Sequence, residues 1–509
     1  MSRNATESET ADGAIVQAAA GDPRTAAIWS ALGQYIGFAL QFVTSVIISR
    51  FFLTPAEVGL FSIALAAAMM ITILQDFGMT RYLAGHAALT REETRRCASL
   101  SLLLSLAIAG IIVLLAWPIA QFYKEPRLTA ILAMIAVSLL LSPWSSLPAA
   151  LLTRDLDFRG LFLVNAGSGL ANSASALIFA ANGFSDESLA MAMIVQALAR
   201  AGIAQWLRPF AIPLRPRLAG SRAALRFGGG STVLAISGAL GVRTPDLIVG
   251  RILGMHVVGL YSRGWSLAAS LHMLVVGSIG AVFYPAFARL RDEGRPLGPQ
   301  YERVVAGYGA VVWPAMALLA ALATPVVLLL YGPVWQEAGR LLVWMALAEI
   351  CFITVPLHMD LPILLGRMRQ LIRYNLADTA ASIGTLIVGA SIGLEAAAIS
   401  RLAYGLIWIA IYARFMHGLL GFRWSYLAGV YARSAVVALA TAAPTLAIYR
   451  WWRTPETLGW DGFLIAVAAG LAAWALALLA TRHPGLDDLL GMVRHAFGQM
   501  FGRRAARTA

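Results

Sequence analysis

Stretches of mostly apolar residues, each about twenty long, recur from one end of this chain to the other, and no other feature restricts its fold as strongly. A helix rising 1.5 Å per residue needs ~20 such residues to cross a hydrocarbon layer of ~30 Å. Fourteen segments qualify: 26–49, 57–79, 97–118, 129–152, 160–181, 187–206, 228–249, 259–285, 303–330, 341–364, 371–392, 395–416, 432–451 and 462–481. Composition agrees, with 59% of the 509 residues hydrophobic and 13% charged, roughly half the charged share of a soluble domain. A water-soluble fold of this length cannot enclose that much apolar surface in one core. The expected class is an all-α polytopic membrane protein with about 14 transmembrane helices. Soluble enzymes, secreted proteins and nucleic-acid-binding domains are excluded.

Little chain is left outside these segments. The longest connection, 207–227, carries five arginines and is too short for a catalytic domain. The first 25 residues are polar and hold no apolar core followed by a cleavage site, so the first span is expected to serve as the targeting signal. Cys97 and Cys351 have no Cys or His partner at metal-ligand spacing, which predicts neither disulfide nor metal site. Gly228-Gly229-Gly230 follows no strand and precedes no Lys-Ser/Thr, so it reads as close helix packing rather than a phosphate loop. Thr90 and Glu93 have the spacing of a capping box.

The net charge of +13 reflects topology before it reflects a partner. When the chain is threaded back and forth, 29 of the 39 Lys and Arg residues fall on the side holding both termini. Eight fall on the other side, Arg50, Arg251 and Arg401 among them, and Arg243 and Arg263 fall within spans. By the positive-inside rule both termini are cytoplasmic. Beyond the last span, Leu486, Leu489, Leu490, Val493, Phe497, Met500 and Phe501 form one helical stripe beside Arg494, Arg503, Arg504 and Arg507. Such a stripe suits an amphipathic helix on an anionic leaflet.

The chain also repeats itself. Val58-Gly59-Leu60-Phe61-Ser62 returns as Val258-Gly259-Leu260-Tyr261-Ser262, each after an arginine that ends the preceding span, Arg50 or Arg251. The offset of 200 residues contains six spans, an even number, so the two halves share one orientation. This predicts parallel repeats about an axis along the membrane normal. The expected organisation is an N-terminal tail 1–25, an N-lobe 26–206, a linker 207–227, a C-lobe 228–416, two further helices in 417–481 and a basic tail 482–509.

Polar residues at bilayer depth are the candidate site. A charge there carries an insertion penalty of at least ~2.5 kcal/mol unless a cavity or counter-charge holds it. Arg243 and Asp246, at i and i+3, share a face. Arg263 has no partner near in sequence. Glu349 and Asp360, eleven residues apart in an expected continuous helix, share a face. Asn375, Asp378, Thr379 and Ser382 form a stripe, as do Asn165, Ser168, Asn172 and Ser175; Gln34 and Gln41 are seven apart. These stripes suit either a hydrated cavity or hydrogen-bonded helix packing. Trp265, Trp313 and Tyr404 are candidates for stacking on sugars. Pro314, Pro325, Pro356 and Pro362 are expected to bend their helices.

Several short patterns, in order, resemble the polysaccharide transporter, or oligosaccharide flippase, family of the MOP exporter superfamily. They are Gly59-Leu60-Phe61-Ser62, Gln75-Asp76-Phe77-Gly78, Leu151-Leu152 with Arg154, Phe158 and Arg159, Asp246 to Arg251, Gly259-Leu260-Tyr261, Phe283-Tyr284-Pro285 and Gly393-Leu394-Glu395. The likeness covers roughly residues 25–420. Ser188-Leu189-Ala190 and Arg243-Thr244-Pro245 depart from the family, which often has Trp and Asn there.

The resemblance implies two six-helix lobes around a central cavity plus two C-terminal helices. It also implies a bacterial inner-membrane flippase for oligosaccharide repeat units linked to a polyprenyl diphosphate of the undecaprenyl type, serving exopolysaccharide, capsule or O-antigen synthesis by alternating access. Arg263, Arg243 and Arg81 would bind the diphosphate, since a guanidinium fork matches phosphate oxygens. Gln34, Gln41, Asn165 and Asn172 would contact sugar. Asp76, Asp246, Glu349 or Asp378 would couple transport to H+ or Na+. No cofactor, catalysis or nucleic acid is expected; partners are the lipid-linked oligosaccharide, membrane lipids, and polysaccharide polymerase and co-polymerase proteins. The alternatives are a multidrug or cation antiporter of the same superfamily, a membrane polysaccharide polymerase or ligase, and a non-transporting scaffold.

Overall fold

A computed structural model describes residues 23–76, 91–212, 243–486 and 491. Arg81, Thr90, Gly228-Gly229-Gly230, most of the 207–227 linker and the stripe of the basic tail lie outside the described residues. Among the described residues every regular element is helical. The chain is a multi-pass membrane protein: ten described helices are long and apolar enough to cross a bilayer, eleven if one bent pair counts as a single span.

Compactness divides the chain into Met1–Gly259 and Leu260–Ala509. The first unit holds α1 (Pro23–Phe51), α2 (Pro55–Asp76), α3 (Arg91–Tyr123), α4 (Arg127–Leu140), α5 (Ser142–Arg154), α6 (Phe158–Ala181), α7 (Ser188–Leu207) and α8 (243–253). The boundary falls inside α9 (Met255–Asp292). The second unit continues with α10 (Gly298–Ala321), α11 (Ala323–Leu330), α12 (Gln336–Ile353), α13 (Asp360–Leu364), α14 (Met368–Ile392), α15 (Leu394–Leu420), α16 (Trp424–Trp451) and α17 (Trp460–Ala480).

Within the first unit α6 packs against α1 and α7, and α4 against α3 and α7. The Asp157 carboxylate starts α6 by accepting the Gly160 N–H at 2.8 Å, satisfying a donor that the first turn leaves without a helical partner. The two copies of the repeated motif meet here. A Cβ built on Gly59 would overlap the Met255 carbonyl oxygen, and one on Gly259 would overlap the Pro55 carbonyl oxygen. Two glycines let α2 and the start of α9 cross backbone against backbone.

Within the second unit α10 packs on α16, α15 on α14 and α12, and α17 on α16. Its core is built from buried rings and aliphatics, including Phe287, Tyr301, Trp408, Tyr412 and Met416. Gly389 permits the α14–α15 approach, since a Cβ there would lie 2.6 Å from the Ala396 carbonyl oxygen. Glu302, buried on α10, accepts the Arg423 backbone N–H at 2.8 Å and pairs with its guanidinium at 2.8 Å. That contact fixes the entry into α16.

Three expected continuous spans are broken. Segment 129–152 bends by 42° between α4 and α5, where Pro143 lies in the first turn of α5 and has no N–H to continue the helix through Leu141. Segment 303–330 divides at Leu322, with Pro325 in the first turn of α11, while α10 runs on through Pro314. Segment 341–364 stops at Ile353 and resumes at Asp360. Pro356 lies in this gap, and Leu357 takes a left-handed φ of 58°. Glu349 and Asp360 therefore do not share a helical face: Glu349 is buried in α12 and Asp360 is exposed at the start of α13.

Candidate functional site in the second unit

Four helices of the second unit carry ionisable and aromatic side chains to the depth of the spans. Arg401 is the eighth residue of α15, ~10 Å along the axis from its first turn. The residue is only 7% exposed. Its guanidinium lies 4.3 Å from the centre of the Trp265 ring of α9, 5.3 Å from Phe352 of α12 and 5.6 Å from Tyr404, one turn further along α15. The faces of three rings thus supply the electron density that a desolvated cation otherwise lacks.

Asp378 of α14 stands in the same cluster. Its Oδ1 accepts the Tyr404 hydroxyl at 2.7 Å, and the Arg401 charge acts on it without an ion pair closer than 4 Å being formed. Asn375, Thr379 and Ser382 are buried beside it on the same stripe, and Thr379 returns its hydroxyl to the Asn375 carbonyl. The expected polar stripe therefore faces the interior of the unit. Small residues set the spacing: a Cβ on Gly405 would come within 2.7 Å of the Cys351 Cβ, where α15 crosses α12.

Two helical turns along α9 from Trp265, His272 places Nδ1 2.7 Å from Glu349 Oε2 of α12. Glu349 is thus a buried acid with a basic partner on a neighbouring helix. Arg263, two residues before Trp265, holds its guanidinium 6.0 Å over Tyr331, in the connection that follows α11.

In the first unit Arg243 and Asp246 both fall in α8, and the Arg243 charge acts on Asp246. Asn172 donates to Gln196 of α7 at 3.2 Å, and Ser168 and Ser175 return their hydroxyls to their own helix, whereas Asn165, Gln34 and Gln41 are exposed. Asp76 closes α2. Trp313 stacks on Tyr431 at 5.7 Å, so this ring, like Trp265 and Tyr404, already has a protein partner.

Sequence reasoning missed Phe352 and His272 of this site and, above all, Arg401. The expected span 395–416 contains it, but threading counted its charge on the side opposite the termini; α15 begins at Leu394, immediately after Gly393, and carries it two turns into the span. The signal was present: Gly393-Leu394-Glu395 is a helix start, and counting seven residues from it gives this depth.

Three comparisons with known proteins bear on this arrangement. The family model described as "Polysaccharide biosynthesis protein" matches residues 47–340. The succinoglycan biosynthesis transport protein ExoT of Rhizobium meliloti (strain 1021) is 25% identical over 490 residues, 92% of this chain and 94% of that protein. The lipopolysaccharide biosynthesis protein WzxC of Escherichia coli (strain K12) is 23% identical over 315 residues, 61% of this chain and 63% of that protein. Among solved structures, the lipid II flippase MurJ in an inward closed conformation superposes with a TM-score of 0.71 at 11% identity, covering 89% of this chain and 99% of that one; the likeness is one of fold.

Proposed function

The chain is a member of the polysaccharide biosynthesis protein family, and from that premise we propose that it is a flippase moving oligosaccharide repeat units, linked to a polyprenyl diphosphate, across the bacterial inner membrane. The observation that carries this reading is the near end-to-end correspondence with a succinoglycan transport protein. A shared domain alone would not extend over both units.

The chemistry of the charged residues supports an anionic cargo. Arg263, Arg243 and Arg81 bind the diphosphate, whose oxygens match the guanidinium fork, while the polyprenyl chain stays in the bilayer. Gln34, Gln41 and Asn165 contact sugar, with Asn172 reaching it after release from Gln196. Asp76, Asp246, Glu349 and Asp378 are the positions at which an H+ or Na+ gradient couples to alternating access. Both termini lie in the cytoplasm, and a polysaccharide polymerase and co-polymerase receive the product outside. A cation antiporter would place acids where the second unit carries Arg263 and buries Arg401.

Deleting the gene and analysing lipid-linked intermediates tests the reading. Complete repeat units accumulating on the cytoplasmic face are the expected result; loss of their synthesis overturns it in favour of an enzyme. Restoring the strain with Arg263→Ala, at wild-type membrane levels, leaves export abolished, and full export by that variant removes Arg263 from the site.

A further inference from the structure

We infer that Arg401 binds one oxyanion of the transported molecule, a phosphate or a carboxylate, in a site walled by Trp265, Phe352 and Tyr404. This rests on the flippase reading and deepens it by naming a residue and a ligand group in the second unit.

The burial of Arg401 carries the inference. Its side chain sits in a spanning helix at 7% exposure, and its Nε is buried without a hydrogen-bond acceptor. A guanidinium taken out of water is expected to have its N–H groups satisfied by a carboxylate or by carbonyls. The nearby acid does not do this: Asp378 forms no ion pair with Arg401 within 4 Å, and its Oδ1 accepts the Tyr404 hydroxyl instead. What Arg401 has instead is ring faces, with Trp265 nearest at 4.3 Å. The rings attract the cation through their π faces but offer no lone pair to its N–H groups, so the buried Nε still wants an acceptor. An oxyanion approaching in the guanidinium plane receives two parallel N–H bonds, an arrangement that a ring face cannot supply.

Asp378 completes the device. When ionised, Asp378 offsets the charge of Arg401 from beyond ion-pair distance, its Oδ1 held by the Tyr404 hydroxyl, so the guanidinium is tolerated without being quenched. When the ligand's oxyanion arrives, the two negative charges compete for one cation. Asp378 thereby weakens binding and assists release, which a transporter needs as much as capture.

The test uses the full chain in detergent micelles, with affinity read by native mass spectrometry and folding checked by size exclusion and circular dichroism. Three probes separate the sources of the anion: undecaprenyl diphosphate without sugar, neutral undecaprenol, and glucuronic acid. Arg401→Met is expected to weaken one anionic probe roughly tenfold, the scale of a lost charge-assisted pair, and to leave undecaprenol unchanged. If the affected probe is the diphosphate, the ligand group is phosphate; if it is glucuronic acid, the group is a sugar carboxylate. Arg401→Lys, which keeps the charge and loses the fork, falls between wild type and Arg401→Met and also guards against misfolding of the latter. Asp378→Asn tightens binding of the same probe. Unchanged anion binding by Arg401→Met overturns the inference, and so does an Asp378→Asn variant that weakens binding as much as Arg401→Met, the mark of a purely structural pair. Wild-type protein that binds neither anion overturns the flippase reading itself, so the two failures are distinguishable.

Discussion

His483 shows how much a single side chain can determine once its neighbours are fixed. It follows α17 and is only 2% exposed. Nδ1 accepts the Gly485 N–H at 3.1 Å, and Nε2 lies 3.0 Å from the Ser434 hydroxyl, which itself donates to the Val430 carbonyl. The serine oxygen therefore accepts, Nε2 carries the proton, and the ring is neutral. Burial first, and the nearby Arg433 charge second, push its pKa down to about 4 from the ordinary 6.5. A depressed histidine contributes stability that is complete above pH 6.5. That stability is lost as pH falls toward 4, because the undocked ring takes up its proton first. Docking of residues 482–486 is thus expected to weaken by on the order of 3 kcal/mol between pH 7 and 4. Hydrogen exchange of this segment, corrected for intrinsic rates, checks it: protection falls with pH in wild type and stays flat in His483→Gln. At this scale the sequence was informative about depth and silent about partners. It identified Glu349 and Asp378 as deep acids and Tyr404 as a candidate ring, whereas the pairing of Glu349 with His272 and of Asp378 with Tyr404 emerges only where α9 crosses α12 and α14 meets α15.

At the scale of elements, the repeated Val-Gly-Leu motif has a mechanical meaning that its sequence only hinted at. Gly59 and Gly259 stand where α2 and α9 cross, each facing a backbone carbonyl of the other strand of the crossing. Backbone cannot yield as a flexible side chain can, so Gly59→Ala or Gly259→Ala must separate the helices. Overpacking of this kind typically costs ~1–3 kcal/mol. Either variant is expected to lower the thermal transition in detergent by several degrees, whereas Gly429→Ala, which meets nothing within 4 Å, leaves it unmoved. Unaltered melting of both crossing variants would show that the helices do not approach so closely. Most helices were legible because length and apolarity alone define a span. The breaks after Leu140, Ala321 and Ile353 were not, because a proline within a span is carried through in one context and divides it in another. Pro314 and Pro325, eleven residues apart, behave in these two different ways, and the packing around each decides which.

At the scale of the whole molecule the decisive question is which way the chain faces. The fourteen spans expected from the sequence would return the two termini to one side, and the positive-inside rule applied to the connections predicts that this side is cytoplasmic. The turn between α16 and α17 is a sharp place to test this. It carries Arg453, paired with Asp461 at 2.8 Å, and is flanked by exposed Trp451, Trp452 and Trp460, rings that anchor helix ends at a membrane–water interface. The connection before α14 instead ends in Arg367, with Arg369 and Arg373 in the first turns of the helix, all three exposed. Sorting by basic residues therefore puts the α16–α17 turn outside and the α13–α14 connection inside. Fusing alkaline phosphatase, which folds only outside the cytoplasm, after residue 456 should give activity, and fusing it after residue 366 or 509 should give none. Green fluorescent protein at the same three positions should give the opposite pattern. Phosphatase activity at 509 with silence at 456 would invert the chain and bring the arginine-rich connections outside. That result would deprive the proposed direction of transport of its topological basis while leaving the helical fold intact. Activity at both 456 and 509 would instead mean that α17 does not cross, which its 21 mostly apolar residues argue against.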